Sequence, residues 1–355
     1  MQAHFNGLLC CLLLLCLGVV SEAANQDVIV LAVTSCGKKA KFHLPAFLQS
    51  LLQQPPATRR RIRLYLFGDA ETHAAYVGDP VDCISSRLAP ALHSVIFTNI
   101  TDYSAKWGGL SLLSKYWAED KDRYTCAAFK LDILSMVPPS ERHVVYLDVD
   151  VVVFSDLAQL QDLFALHQDK TLMVARESYR TGTGWYVKAR NHKGGKTHYH
   201  QPTGVNSGLM LMNLDRMRRD NLTAEGFLVY NDEPISMGDQ DVINSYAFHR
   251  PDEVLILPCE YNRRSDSHCD DGDLLLNGNG TGAALPALLR ADESRANYVA
   301  TRSGILHASR RVFMRHRMYP ALYNLHRNLT DRFFQTCNLS HLLVSRPLGA
   351  SVYIQ

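Results

Sequence analysis

Residues 144–154 read Val-Val-Tyr-Leu-Asp148-Val-Asp150-Val-Val-Val-Phe and set two carboxylates inside an otherwise apolar run. Such a run reads as a buried strand, and a buried strand tolerates charge only where it is paired or bound to metal. Side chains two apart in a strand point the same way, so Asp148 and Asp150 can face one ligand if the strand is just ending there. Hard oxygen donors of this kind suit Mg²⁺ or Mn²⁺, ions usually shared between carboxylates and substrate phosphates. Two solvated loop aspartates are the bland alternative.

Elsewhere the chain alternates short apolar runs with helix-like stretches, the pattern of βαβ units around a mostly parallel sheet. Strands are expected over residues 28–33, 62–67, 94–98, 144–147, 172–175, 208–213, 254–257 and 304–307. Helices are expected over 40–54, stopped by Pro55-Pro56, over 125–136, stopped by Pro138-Pro139, and over 239–248. Ligands of open α/β sheets gather at the carboxyl ends of strands, where the first strand and the Asp-x-Asp strand both end. Neither a GxGxxG nor a Walker A sequence is present, so a bound phosphate needs a metal and basic side chains instead of a glycine cradle. One domain over residues 24–355 is the simpler count, with a Gly/Asn-rich surface insertion at about 270–301.

The first 23 residues read as a signal peptide: an apolar core over residues 8–20, then Ser21-Glu22-Ala23. The leading residues carry no Lys or Arg, which keeps an uncleaved signal anchor, and with it membrane attachment, as the alternative. Sequons at Asn99, Asn221, Asn279, Asn328 and Asn338 agree with passage through the secretory pathway, whether to the Golgi or endoplasmic reticulum lumen or to secretion. Six cysteines remain after the leader, an even number that fits disulfides. Cys259 and Cys269, close in sequence, are the first pair expected, while Cys36 reads equally well as a buried thiol. A net charge of +2 argues against a dedicated nucleic-acid surface.

Several other positions carry candidate chemistry. Asn206 and Ser207 sit in a small polar turn ahead of an apolar strand and can hydrogen-bond sugar hydroxyls, or simply start the strand. Asp239 opens a helix, where it can act as the N-cap or present its carboxylate to a substrate. Gln240 is neutral, so beneath an anomeric carbon it lacks the nucleophilic strength of a glycosidase carboxylate. His307 can complete an oxygen/imidazole metal site, and Arg310 can neutralise a pyrophosphate. Lys130 precedes the Asp-x-Asp strand and reads by itself as a solvated lysine.

The order of these signals resembles glycosyltransferase family 8, the retaining family that includes glycogenin and bacterial galactosyltransferases, and within it the glucoside xylosyltransferases. The stretches that carry the resemblance are Val33-Thr-Ser-Cys-Gly37, Cys126-Ala-Ala-Phe-Lys130, Tyr146-Leu-Asp-Val-Asp150, Gly184-Trp-Tyr186, Thr203-Gly-Val-Asn-Ser-Gly-Leu-Met-Leu-Met-Asn213, Gly238-Asp-Gln-Asp241, Pro258-Cys-Glu-Tyr-Asn262 and Leu306-His307. The resemblance implies a GT-A (Rossmann-like) fold, a UDP-sugar donor, and Mn²⁺, with Mg²⁺ possible, held by Asp148, Asp150 and His307. It places Thr34 near the uridine, Asn206, Ser207 and Asp239 on the donor sugar, and Gln240 beside the anomeric centre, with Asp239 as the alternative nucleophile. Lys130 and Arg310 would steady the UDP leaving group. The implied activity is α-retaining transfer of xylose from UDP-xylose to a glycoprotein sugar, with O-glucose on EGF-like repeats as the suggested acceptor. UDP-glucose or UDP-galactose as donor is one alternative, and a non-catalytic binder of glycans or nucleotide sugars is another. Two departures stand out: Lys130 where the family usually has Arg, and Ala308 where it has Gly.

Overall fold

The computed structural model describes residues 28–76, 78–88, 95–100, 126–188, 198–231, 235–264, 304–307 and 320–339. The expected leader, the 270–301 insertion, Cys269, Ala308 and Arg310 lie outside them. Seven strands form the central sheet: β1 (Ile29–Ser35), β2 (Ile62–Gly68), β3 (Val95–Asn99), β4 (His143–Asp148), β6 (Leu172–Arg176), β7 (Val205–Asn213) and β8 (Val254–Leu257). Their spatial order is β3-β2-β1-β4-β7-β6-β8. Every neighbouring pair is parallel except those made by β7, which runs against both β4 and β6. The mostly parallel α/β sheet expected from the sequence is therefore the one observed.

Burial explains why these segments became strands. Along β1, Val30 and Ala32 pack into one core while Ile29, Leu31 and Val33 pack into the other, on the opposite face of the sheet. A strand covered on both sides needs a continuous apolar run rather than alternation, which is what β1 and β4 have. Helix α1 (Gly37–Leu52) covers the second face through Leu44, Phe47, Leu48 and Leu51. Helix α2 (Ala158–Leu166) adds Leu160 and Phe164 to that face, whereas α3 (Asp239–His249) contributes Val242, Ile243 and Tyr246 to the first.

Two expected elements differ from those observed. The apolar run 144–154 is not one strand: it breaks at Val149-Asp150, and β5 (Val151–Val153) joins a second, small sheet of order β5-β10-β9, with β9 at Arg263–Arg264 and β10 at Ile305–His307. Asp148 is thus the last residue of β4 and Asp150 stands in the turn that leads to β5, so they converge through that turn rather than through the two-residue period of a strand. The second difference is Asn206-Ser207, expected as a turn and found inside β7, because Ala175 and Arg176 continue the pairing to Asn206 and Val205 past a register shift at Val174/Ala175.

Two disulfides join described residues. Cys36 bonds Cys126, so it is not a free thiol, and Cys83 bonds Cys337 just beyond α4 (Pro320–Thr336). Cys259 is disulfide-bonded as well. Among the described residues no helix is long and apolar enough to cross a membrane.

Candidate active site

β1, β4 and β6 all end at the same edge of the sheet, and antiparallel β7 begins there. This topology alone brings four segments together. Register sets Thr34 of β1 beside Asp148 of β4, and Thr34 Oγ1 lies 2.5 Å from the hydroxyl of Tyr146. The hydroxyl expected near a uridine is therefore already engaged with a buried neighbour.

His307 reaches the aspartates because β10 pairs antiparallel with β5, setting His307 opposite Val151. His307 Nε2 lies 3.3 Å from Asp150 Oδ1 and 3.9 Å from Asp148 Oδ2. One donor atom from each of the three residues falls within 4.8 Å of the others. Two carboxylate oxygens and an imidazole nitrogen at this spacing fit a divalent cation of the Mn²⁺ or Mg²⁺ kind. Burial works against ionisation of Asp150, but the charge and hydrogen bond of His307, with His43 adding to them, hold its carboxyl well below the usual carboxylate range.

Lys130 is not a solvated lysine: it is 1% exposed. Its Nζ donates to Asp148 Oδ1 at 2.8 Å and to the Ser207 carbonyl at 3.1 Å, pairs with Asp239 Oδ2 at 3.0 Å, and lies 4.9 Å from the Tyr146 ring centroid. Burial alone would lower its pKa; the carboxylates of Asp148 and Asp239 outweigh that and keep it charged. For Asp239 the balance runs the other way, since burial and nearby Asp148 raise its pKa against the lowering by Lys130 and Ser207.

Asp239 does not cap α3. The N-cap is Gly238, whose φ of +64° suits a residue without a Cβ. Asp239, the first helical residue, instead accepts from Ser207 Oγ at 2.6 Å. Gln240 Oε1 accepts from Asn206 Nδ2 at 2.7 Å. One turn on, Asn244 bonds both the N–H and the C=O of Val205 at 2.8 Å, tying α3 to the start of β7. Asp241 is set by Tyr186, whose hydroxyl donates to it at 2.9 Å, and by the backbone N–H groups of Ser236 and Met237.

The structure thus gathers Thr34, Lys130, Asp148, Asp150, Asn206, Ser207, Asp239, Gln240 and His307 at one sheet edge; Arg310 lies outside the described residues. Sequence reasoning missed Glu177 and Arg264. Glu177 Oε2 accepts from Asn206 Nδ2 at 3.0 Å, Gln240 Nε2 at 3.2 Å and Arg264 Nη1 at 2.5 Å, and Arg264 Nη2 also donates to the Glu177 carbonyl. Both side chains are nearly inaccessible, at 6% and 3% exposure. The signal available was position: Glu177 directly follows a strand that ends at the ligand-bearing edge.

The fold is that of the GT-A glycosyltransferases: the galactosyltransferase LgtC, solved with donor and acceptor sugar analogues, superposes with a TM-score of 0.53 over 88% of this chain and 96% of that one, at 15% identity. Residues 97–269 match the model of glycosyl transferase family 8. Glucoside xylosyltransferase 1 of Rattus norvegicus is 26% identical over 70% of this chain, and its Danio rerio counterpart is 26% identical over 73%. The matched regions are 57% and 64% of those proteins' own lengths.

Proposed function

We propose that the protein transfers xylose from UDP-xylose to a sugar hydroxyl of a glycoprotein in the secretory pathway, with retention at the anomeric carbon. The observation that carries this reading is the meeting of a carboxylate–carboxylate–imidazole group with Asp239 and Gln240 across one buried lysine. A glucoside is the acceptor we favour, in keeping with the names of the xylosyltransferase relatives, and O-glucose on an EGF-like repeat is the form of it that the resemblance of the sequence suggests.

A divalent cation held by Asp148, Asp150 and His307 would neutralise charge on the diphosphate as the sugar departs. Lys130 holds Asp148 and Asp239 in place and contributes fixed positive charge behind them, without a solvent shell to reorganise. Asn206, Ser207 and Asp239 line the sugar side of the site. Gln240, with its amide bonded at both ends, offers a neutral dipole to the anomeric centre and no strong nucleophile, which favours attack from the leaving-group face over a covalent glycosyl-enzyme.

The test is UDP release from UDP-xylose, UDP-glucose, UDP-galactose and UDP-N-acetylglucosamine, with Mn²⁺ and with chelator. Turnover of UDP-xylose that chelator abolishes is expected. Selective use of a hexose donor would replace xylose, and full Mn²⁺-dependent turnover by Asp148→Asn or His307→Ala would remove the metal assignment.

A further inference from the structure

We infer that Asn262, aligned through Asn206 by the buried Glu177–Arg264 pair, is a positioning residue that fixes the hydrogen on His307 Nδ1 and so turns the Nε2 lone pair toward Asp148 and Asp150. The inference rests on the cation reading of those three residues.

Two kinds of group around Asn206, a carboxylate and a backbone N–H, have hydrogen-bonding roles that admit no choice. A carboxylate bonded to Arg264 only accepts, so the Asn206 and Gln240 atoms that face Glu177 Oε2 are their NH₂ groups. A backbone N–H only donates, and that of Gly208 meets Asn206 at 3.1 Å, so the atom there is Oδ1. Two independent partners therefore fix the same orientation of the Asn206 amide. Asn262 approaches that Oδ1 at 2.8 Å and must present Nδ2 to it. Its own Oδ1 then faces His307 Nδ1 at 3.0 Å, and an acceptor there requires hydrogen on Nδ1. Nε2, 3.3 Å from Asp150 Oδ1 and 3.9 Å from Asp148 Oδ2, is then the nitrogen that ligates once the cation displaces its proton. A ligating histidine held through its second ring nitrogen is the general way proteins orient such a ring. Here the support is a directed chain of amides whose far end also holds Gln240.

The experiment is a Mn²⁺ titration followed by electron paramagnetic resonance at saturating UDP, on wild type, Asn262→Leu and Asn262→Asp, with circular dichroism confirming that each is folded. Asn262→Leu removes the acceptor and is expected to weaken Mn²⁺ about ten- to a hundredfold. Asn262→Asp keeps an acceptor for Nδ1–H but has no hydrogen for Asn206, so Mn²⁺ binding at or above the wild-type level is expected together with a fall in kcat through Gln240. Wild-type affinity in Asn262→Leu, or an equal loss in both variants, would overturn the inference. Wild-type protein that fails to bind Mn²⁺ would overturn the cation reading itself, a separate result. Should Asn262→Leu not fold, the aspartate variant decides: lost Mn²⁺ affinity in it is the overturning outcome.

Discussion

Lys130 and Asp148 meet across the sheet edge with Nζ 2.8 Å from Oδ1, one end of a charge chain that continues through the same ammonium to Asp239. The ammonium is buried, and removing it strands the Asp239 carboxylate in a dry site, with the Ser207 hydroxyl still donating to it. Breaking a buried pair from one side costs about 3–5 kcal/mol. Urea unfolding of Lys130→Met at neutral pH is expected to show a loss of that size, and Lys130→Met/Asp239→Asn to recover a substantial part, because the second change removes the orphaned charge. Additive losses in the double variant would mean that the pair is not coupled.

Gly208 tests the packing around the histidine. A Cβ built there would overlap Cε1 and Nδ1 of His307 and approach Asn206 Oδ1 to 3.0 Å. The strand backbone at Gly208 would accept alanine, so the effect is steric and local. Gly208→Ala is expected to cost about 1–3 kcal/mol of stability from overpacking, and to weaken Mn²⁺ binding by turning the imidazole from the aspartates. Calorimetry and the Mn²⁺ titration would check the two parts; unchanged Mn²⁺ affinity would show that the ring has room to move.

Asp132, 2% exposed at the end of the short helical turn after Lys130, carries a pH signature away from the site. Burial raises its carboxyl from 3.8 to about 6, against the lowering by Ser135 and the Ala224 N–H. The folded protein then holds this proton more tightly than the unfolded chain does. Its stabilisation is fully present below pH 3.8 and is lost as pH rises through 6. At pH 7 the ionised group costs up to about 3 kcal/mol, from 1.36 kcal/mol per pKa unit. Asp132→Asn is therefore expected to be more stable than wild type at pH 7 and equal to it near pH 3.5. Parallel stability curves across that range would refute this.

Much of the architecture was legible because buried strands need apolar runs, and the runs at β1, β4, β6 and β8 stand out between helical stretches. The site was legible in its residues but not in its joints. Nothing in the local pattern shows that residues 144–154 break at Val149-Asp150 and pass into a second sheet, since both arms are equally apolar. Lys130 looked solvated because burial of a lysine depends on where two distant aspartates end up. Glu177 and Arg264 lie 87 residues apart and carry no spacing signal. Cys36 pairs with Cys126 rather than staying a thiol because the topology brings the end of β1 against the segment leading to Lys130, a long-range contact that sequence proximity cannot show.

The Cys83–Cys337 bond offers a test of how the last helix is held. It joins residues 254 apart and pins the end of α4, which packs along α1 through Phe333 and Phe334, to the helix Asp79–Leu88. Opening a loop that long restores much chain entropy to the unfolded state, with a ceiling of about 5 kcal/mol and a usual range of about 2–5 kcal/mol. Cys83→Ser/Cys337→Ser is expected to lower the melting temperature while leaving the Mn²⁺ titration near wild type, because none of the gathered site residues lies on α4. Cys36→Ser/Cys126→Ser should differ in kind: Cys36 directly follows Ser35 at the end of β1 and Cys126 lies four residues before Lys130, so donor turnover should fall along with stability. Thermal melts and UDP release on both double variants would separate the two bonds; loss of turnover with the Cys83–Cys337 pair alone would show that α4 reaches the site.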